Sequence, residues 1–131
     1  MSTTPASVWL AYNEAENRRD HAAMAALIAA DLSVTVNGRP AVASAEDDLR
    51  AMRQLVSTYP DYRREVEEII DVGIRAAARW RMLGTPVAEG IPPLDVPGCS
   101  IVTVADGVIT DAHLYYQGEP LDAALAAAAA G

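Results

Sequence analysis

Apolar side chains recur at helical spacing through the first half of the chain and at alternating or nearly continuous spacing through the second. In Pro5 to Arg19, Val8, Trp9 and Tyr12 are followed one turn later by Ala15 and Glu16, which predicts a helix with Trp9, Tyr12, Asn13 and Glu16 along one stripe. Asp20 can cap a second helix, His21 to Ala30, whose buried side holds Met24, Leu27 and Ile28. Leu32 to Val36 alternates into a short strand that ends at the turn cluster Asn37-Gly38-Arg39-Pro40. Ser44 followed by Asp47 resembles a capping box and predicts a third helix from Ala45 to Ser57, burying Leu49, Met52 and Val56. Pro60 stops it.

Beyond Asp61 the period changes to that of strands. Tyr62 to Asp71 is a charged, alternating strand suited to a sheet edge, where arginines and glutamates discourage mispairing. After a turn at Gly73, Ile74 to Leu83 places Ala78, Trp80 and Met82 on one side and Arg79 and Arg81 on the other. Residues Gly84 to Pro97 hold four of the eight prolines and read as a stiff loop at the rim of a cavity. Gly98 to Gln117 is the strongest local signal: two apolar strands hinged on Asp106-Gly107, where glycine takes the positive φ that the turn demands.

A three-residue turn with Gly107 as the bulge sets Val104 opposite Val108 and puts Ser100, Val102, Thr110, Ala112, Leu114 and Tyr116 on one face. Cys99, Ile101, Thr103, Ile109, Asp111, His113 and Tyr115 then share the other. Neither face is polar enough to be simply solvated, so one is expected to line a pocket and the other to meet a helix or a second subunit. Pro120 opens a closing helix, Leu121 to Ala130, whose alanine run carries no chemistry. The order of elements predicts an α+β fold: three helices packed on one face of a twisted, mostly antiparallel sheet, leaving a cone whose interior can hold a ligand.

At 131 residues the chain reads as one domain, 1–131, with residues 120–131 as a helical tail. The net charge of −8 argues against a basic surface for nucleic acid or anionic lipid. No basic segment precedes an apolar run at the N-terminus, and no stretch approaches the roughly 20 apolar residues of a membrane helix, so a cytoplasmic protein is the expectation. The lone Cys99 is expected to be buried as a small hydrophobe. Two histidines and one cysteine share no ligand-like spacing, so no metal is expected. Without a phosphate-cradling loop or a nucleophile elbow, no cofactor and no covalent mechanism are expected either.

Tyr59-Pro60-Asp61-Tyr62, Ala77-Ala78-Arg79-Trp80 leading to Gly84-Thr85, Ile91-Pro92-Pro93, Gly98-Cys99-Ser100-Ile101 and Asp106-Gly107-Val108-Ile109 resemble, in order and spacing, the SnoaL-like polyketide cyclase family. That family lies in the nuclear transport factor 2-like superfamily, with ketosteroid isomerase and limonene epoxide hydrolase. The resemblance runs from Val8 to about Leu125 and implies a cone-shaped, cystatin-like barrel. Cyclases of this type place a histidine in the penultimate strand and an aspartate in the last; Ser100 and Leu114 stand there in this chain. The hydrogen-bonding tyrosine of ketosteroid isomerases aligns with Tyr12. A pocket tyrosine of the same enzymes aligns with Arg53, and a water-holding asparagine of the epoxide hydrolases with Asn37. Glu16 occupies a position that usually faces the cavity.

Tyr12, Glu16 and Arg53 are therefore the candidate catalytic residues. A buried Glu16 would have its charged form disfavoured by desolvation, Tyr12 would donate to a ligand oxygen, and Arg53 would clamp an enolate or carboxylate. The plain alternatives are a solvated Glu16 beside Arg18 and Arg19, and an Arg53 on the wet side of its helix. Trp9, Asn37, Tyr59, Trp80, Met82, Ser100, Leu114 and Tyr116 are the candidate substrate-binding residues. Asp111 and His113 face one side of a strand, away from the cavity, where they suit a subunit contact. These residues point to cofactor-independent acid-base chemistry of cyclase, isomerase or epoxide hydrolase type on a small, largely apolar carbonyl- or epoxide-bearing metabolite, in a homodimer. The alternatives are a non-catalytic binding protein with the same cavity and a dimerisation module whose cavity is filled by side chains.

Overall fold

A computed structural model describes residues 4–117 of the chain. The expected closing helix, Leu121 to Ala130, and the tail 120–131 lie outside the described residues. The first helix, α1 (Pro5–Arg18), begins with a reciprocal cap in which Thr4 and Ser7 bond each other's backbone N–H groups, and ends at Arg19 in the left-handed conformation. Asp20 caps α2 (His21–Ala26) through the backbone N–H of Ala23. Two strands follow, β1 (Ile28–Val36) and β2 (Arg39–Val42), then α3 (Ala45–Thr58), capped by Ser44. The chain continues as β3 (Arg63–Val72), β4 (Arg75–Gly84), β5 (Leu94–Ala105) and β6 (Val108–Tyr116).

The strands form a single mixed sheet in the order β2-β1-β6-β5-β4-β3, with β1 and β6 parallel and every other pair antiparallel. It is not closed: β2 and β3 are its edges. Irregularities interrupt the register of the β1–β2, β3–β4 and β5–β6 pairs, and such irregularities bend a sheet. Helix α1 packs across β3 to β6 and α3 across β1 and β2, so both helices cover one face. On that face Ala78, Ser100, Leu114 and Val36 form one cross-strand row, and Ala76, Val102, Ala112 and Val34 the next. The helices-on-one-face, mostly antiparallel α+β architecture is the one the sequence predicts. The strand before the third helix is the expected one, and β2 adds a partner to it where the sequence predicts a turn.

Three local expectations are corrected. The second helix ends at Ala26 rather than Ala30, and Ile28 opens β1. There it pairs in parallel with Ile109, whose N–H bonds the Leu27 carbonyl at 2.9 Å. This long-range ladder overrides a local helical pattern of alanines that had little to bury. The central turn spans two residues, not three: Ala105 pairs with Val108, and both Asp106 (φ 53°) and Gly107 (φ 78°) are left-handed, as a tight hairpin turn requires. The irregularity lies further on, where Thr103 pairs with Asp111 and Val104 with Ile109, leaving Thr110 unpaired. That extra residue turns Ile109 inward in place of Thr110. Finally, the stiff loop is shorter than expected, because β5 starts at Leu94 and includes Pro97, one residue before its pairing with β6 begins.

Gly98 belongs to a close approach that positions the site. A Cβ there would lie 2.8 Å from the Trp80 ring and from Tyr116 Cβ, so only glycine lets the indole lie flat beside β5. On the opposite, outer face of the sheet, Cys99 is half-buried rather than fully buried, and Ile70, Ile101 and Tyr115 are exposed. Asp111 and His113 lie on this outer side too, with the His113 ring bonded to the Thr35 hydroxyl at 2.7 Å. No helix among the described residues is long and apolar enough to cross a membrane.

Candidate active site

The α1 stripe turns Trp9, Tyr12, Asn13 and Glu16 toward the sheet, and all four are buried. Across from it α3 presents Asp48, Met52 and Leu55, which are one helical turn apart and share a face. Between these helices and the sheet lies a cavity of about 250 Å³. Its wall is mostly aliphatic, from Ile28, Leu32 and Val34 of β1 to Val102, Ile109 and Leu114 of the central hairpin. Tyr12, Glu16, Asp48, Tyr62, Arg64, Ser100 and Tyr116 bring polar side chains to it.

Arg64 enters from β3, where strand alternation puts it in phase with Tyr62 and opposite Met82. Its Nη2 donates to Glu16 Oε1 at 2.6 Å and its Nε to Asn13 Oδ1 at 2.9 Å. The guanidinium carbon lies 5.4 Å from the Trp9 ring centre and 5.3 Å from that of Trp80, within cation-π range of both. The Arg64 backbone is held as well, its N–H donating to Asn17 Oδ1 at 2.9 Å and its carbonyl accepting from the Asn13 and Asn17 amides. Tyr62 adds a second bond to Glu16 Oε1, at 3.1 Å. Burial opposes the charge on Arg64, but the Glu16 carboxylate and the acidic groups around it outweigh that, and its proton is held more tightly than in water. Burial, reinforced by Glu16, likewise pushes the Tyr62 phenol well up.

Asp48 has a simpler environment. Its Oδ2 accepts a short hydrogen bond from the Tyr12 hydroxyl. Burial raises its pKa above the ordinary carboxylate value and the Glu16 charge adds to this, while the Tyr12 bond and Arg64 pull the other way. The Tyr12 phenol is pushed far up, first by burial and then by the charges of Glu16 and Asp48, so it stays a donor. On the sheet side, Ser100 Oγ accepts from Trp80 Nε1 at 2.9 Å. Among the described residues, no fully buried side-chain polar atom lacks a partner. Nor is any group of three or more His, Cys, Asp or Glu residues placed to hold a metal ion.

The cavity brings together Trp9, Tyr12, Glu16, Met82, Ser100, Leu114 and Tyr116 from the candidates of the sequence. Glu16, expected as a lone desolvated acid, instead faces a guanidinium that compensates its charge in place. Four candidates lie elsewhere. Arg53 is exposed, because the inward face of α3 runs through Asp48, Met52 and Leu55. Asn37 is an exposed turn residue whose side chain bonds the backbone N–H and carbonyl of Tyr116, tying two strand ends together. Tyr59 is buried against Gly84 with its hydroxyl on the Pro92 carbonyl at 2.8 Å, and Trp80 lies behind the wall, holding Ser100. Conversely, Asp48, Tyr62 and Arg64 line the cavity without having been singled out. The signals were present: Asp48 precedes Met52 by four residues on a helix, and Arg64 shares the inward phase of Tyr62 and Val66.

The SnoaL-like domain family model matches residues 9–112, which include Tyr12, Glu16, Asp48, Tyr62, Arg64 and Ser100 of the cavity. No curated protein matches the chain in sequence. Several solved structures share the fold. IdmH, a proposed polyketide cyclase from Streptomyces antibioticus, superposes with a TM-score of 0.79 at 22% identity, over 95% of this chain and 99% of that one. A proposed SnoaL-like polyketide cyclase from a Jannaschia species gives 0.76 at 18% identity, over 97% and 98%. An NTF2-like protein of unknown function from Cytophaga hutchinsonii gives 0.74 at 14% identity, over 93% and 97%.

Proposed function

The chain belongs to the SnoaL-like domain family, and from that membership and the wall of its cavity we propose that it catalyses cofactor-independent proton transfer on a small, largely apolar carbonyl-bearing metabolite. The observation that carries this reading is the difference between two carboxylates in one apolar cavity. Glu16 is bonded to Arg64 and Tyr62, whereas Asp48 is bonded to Tyr12 alone and has its proton affinity raised by burial. Two acids with different partners can divide the work, one held in an ion pair and one as proton carrier. In this reading Asp48 takes a proton from the carbon next to the carbonyl and returns it to a neighbouring carbon. Glu16, Arg64 and Tyr62 set the field in which the enol or enolate forms. Tyr12 orients Asp48, and Met82, Leu114 and Tyr116 shape the cavity. Ring closure and double-bond isomerisation both pass through such an intermediate.

β-Tetralone, a two-ring ketone, tests this without the natural substrate. The wild-type chain is expected to speed deuterium uptake at the activated carbon in heavy water, read by proton NMR. Asp48→Asn is expected to slow it by about 10²- to 10⁴-fold while ketone affinity stays within about tenfold. Equal rates would remove Asp48 from the mechanism. A second reading, a non-catalytic small-molecule-binding protein, is favoured by Ser100 and Leu114 standing where related cyclases carry acid-base groups; it requires that the ketone bind without exchange. The homodimer expected from the sequence would bury the outer sheet face, where Ile70, Ala77 and Ile101 stand in one exposed row, and sedimentation of the full chain decides that point.

A further inference from the structure

Among the described residues, the charges that line the cavity are unequal: Glu16 and Asp48 supply two carboxylates against the single guanidinium of Arg64. That guanidinium is paired before any ligand arrives, with Glu16 on Nη2, Asn13 on Nε and two indole rings, while Nη1 has no hydrogen-bond partner among the described residues. The excess of open groups is of the other charge. Glu16 Oε2 and Asp48 Oδ1 have no partner among the described residues, and both are acceptors. Ser100 Oγ already accepts from Trp80 Nε1, so its own proton is available to donate. A ligand carboxylate would therefore meet two like charges against one cation whose charge Glu16 already balances, in an apolar chamber where such charges are poorly screened. A hydroxyl, enol or carboxamide meets both a donor and acceptors.

Size narrows the class further. About 250 Å³ is the volume of about eight water molecules in the liquid, room for a molecule of one or two rings. We propose that the cavity selects an uncharged one- or two-ring ligand bearing a hydroxyl, enol or carboxamide, that it rejects carboxylates, and that Glu16 sets this choice by neutralising Arg64 in advance. This rests on the cavity being the ligand site and not on the proton-transfer step.

The isosteric pair naphthalene carboxamide and naphthalene carboxylate separates charge from shape. In calorimetric titrations of the full chain at neutral pH, the carboxylate is expected to bind at least about tenfold more weakly than the carboxamide. Glu16→Gln leaves Arg64 without its counterion, so the carboxylate gains at least about tenfold and the preference for the carboxamide is lost. If that variant folds only with help, the carboxylate should raise its melting temperature at least as much as the carboxamide does. Asp48→Asn keeps the Arg64 pair and is the second arm: it too should improve carboxylate binding relative to the carboxamide. Equal binding of both compounds to the wild type, binding of neither, or no carboxylate gain in the two variants would overturn the proposal. β-Tetralone exchange run in parallel keeps the two readings apart. Lost exchange with intact selectivity leaves this inference standing, and intact exchange with lost selectivity removes it alone.

Discussion

The two flanks of the cavity hold their charges in opposite ways. On the flank built by α1 and β3, Arg64 is bonded to Glu16 and Asn13 and stacked on Trp9 and Trp80, and its backbone is clamped by Asn13 and Asn17. On the flank built by α3, Asp48 is half-buried and has one side-chain partner, Tyr12. Removing any member of the first set strands several others. A proton gained or lost on Asp48 disturbs one hydrogen bond. The difference teaches where rigidity ends and reactivity begins: the redundant network is scaffold and fixed field, and the sparsely held acid is free to change its protonation state.

The sharpest way to break this contrast is Arg64→Met, which leaves Glu16 buried without a counterion and is expected to destabilise the fold by about 3–5 kcal/mol in urea unfolding. A loss below about 1 kcal/mol would mean the network is not a scaffold. Tyr62→Phe removes one of the two bonds to Glu16 Oε1, and about 1.5–3 kcal/mol should follow, since the acceptor is charged. On the other flank, Tyr12→Phe is expected to cost less in stability, about 0.5–1.5 kcal/mol, because half-buried Asp48 can take a replacement partner from water, yet to slow β-tetralone exchange more than Tyr62→Phe does. If Tyr62→Phe proves the slower exchanger, the roles of the flanks are reversed.

The smallest effect concerns pH. Asp48 has a folded pKa above its unfolded value, with burial the main cause, so its protonated form favours the native state. That contribution is fully present below the unfolded value of about 3.9 and is lost as pH rises through the folded one. Asp48→Asn carries no such loss. The stability of the variant relative to wild type should therefore improve from acid to neutral pH, as urea midpoints at the two pH values would show. A relative stability that falls over the same interval contradicts the shift.

Much of the scaffold was legible because local pattern and final packing agree in it. The stripe of Trp9, Tyr12, Asn13 and Glu16 is helical spacing read directly, and Asp106-Gly107 announces its own turn. Ile28 was misread because its strand is specified by a parallel partner about eighty residues away, which no local window contains. The inward turn of Ile109 depends on a bulge at Thr110 that the alternation of apolar residues does not show. In the site, Tyr12 and Glu16 stood out as polar groups on an apolar stripe. Asp48 did not, because it follows Glu46 and Asp47 in the first turn of α3, where acids are favoured by the helix dipole alone. Arg64 was hidden in the run Arg63-Arg64-Glu65, whose charge suggests solvent although its middle member is 6% exposed.

The central claim is that Asp48 carries the proton, and the pH profile of β-tetralone exchange by the wild-type chain tests it most directly. The rate is expected to rise with pH through an inflection above the ordinary aspartate value of about 3.9, and that inflection should vanish in Asp48→Asn. An unchanged inflection in the variant would assign the proton to another group.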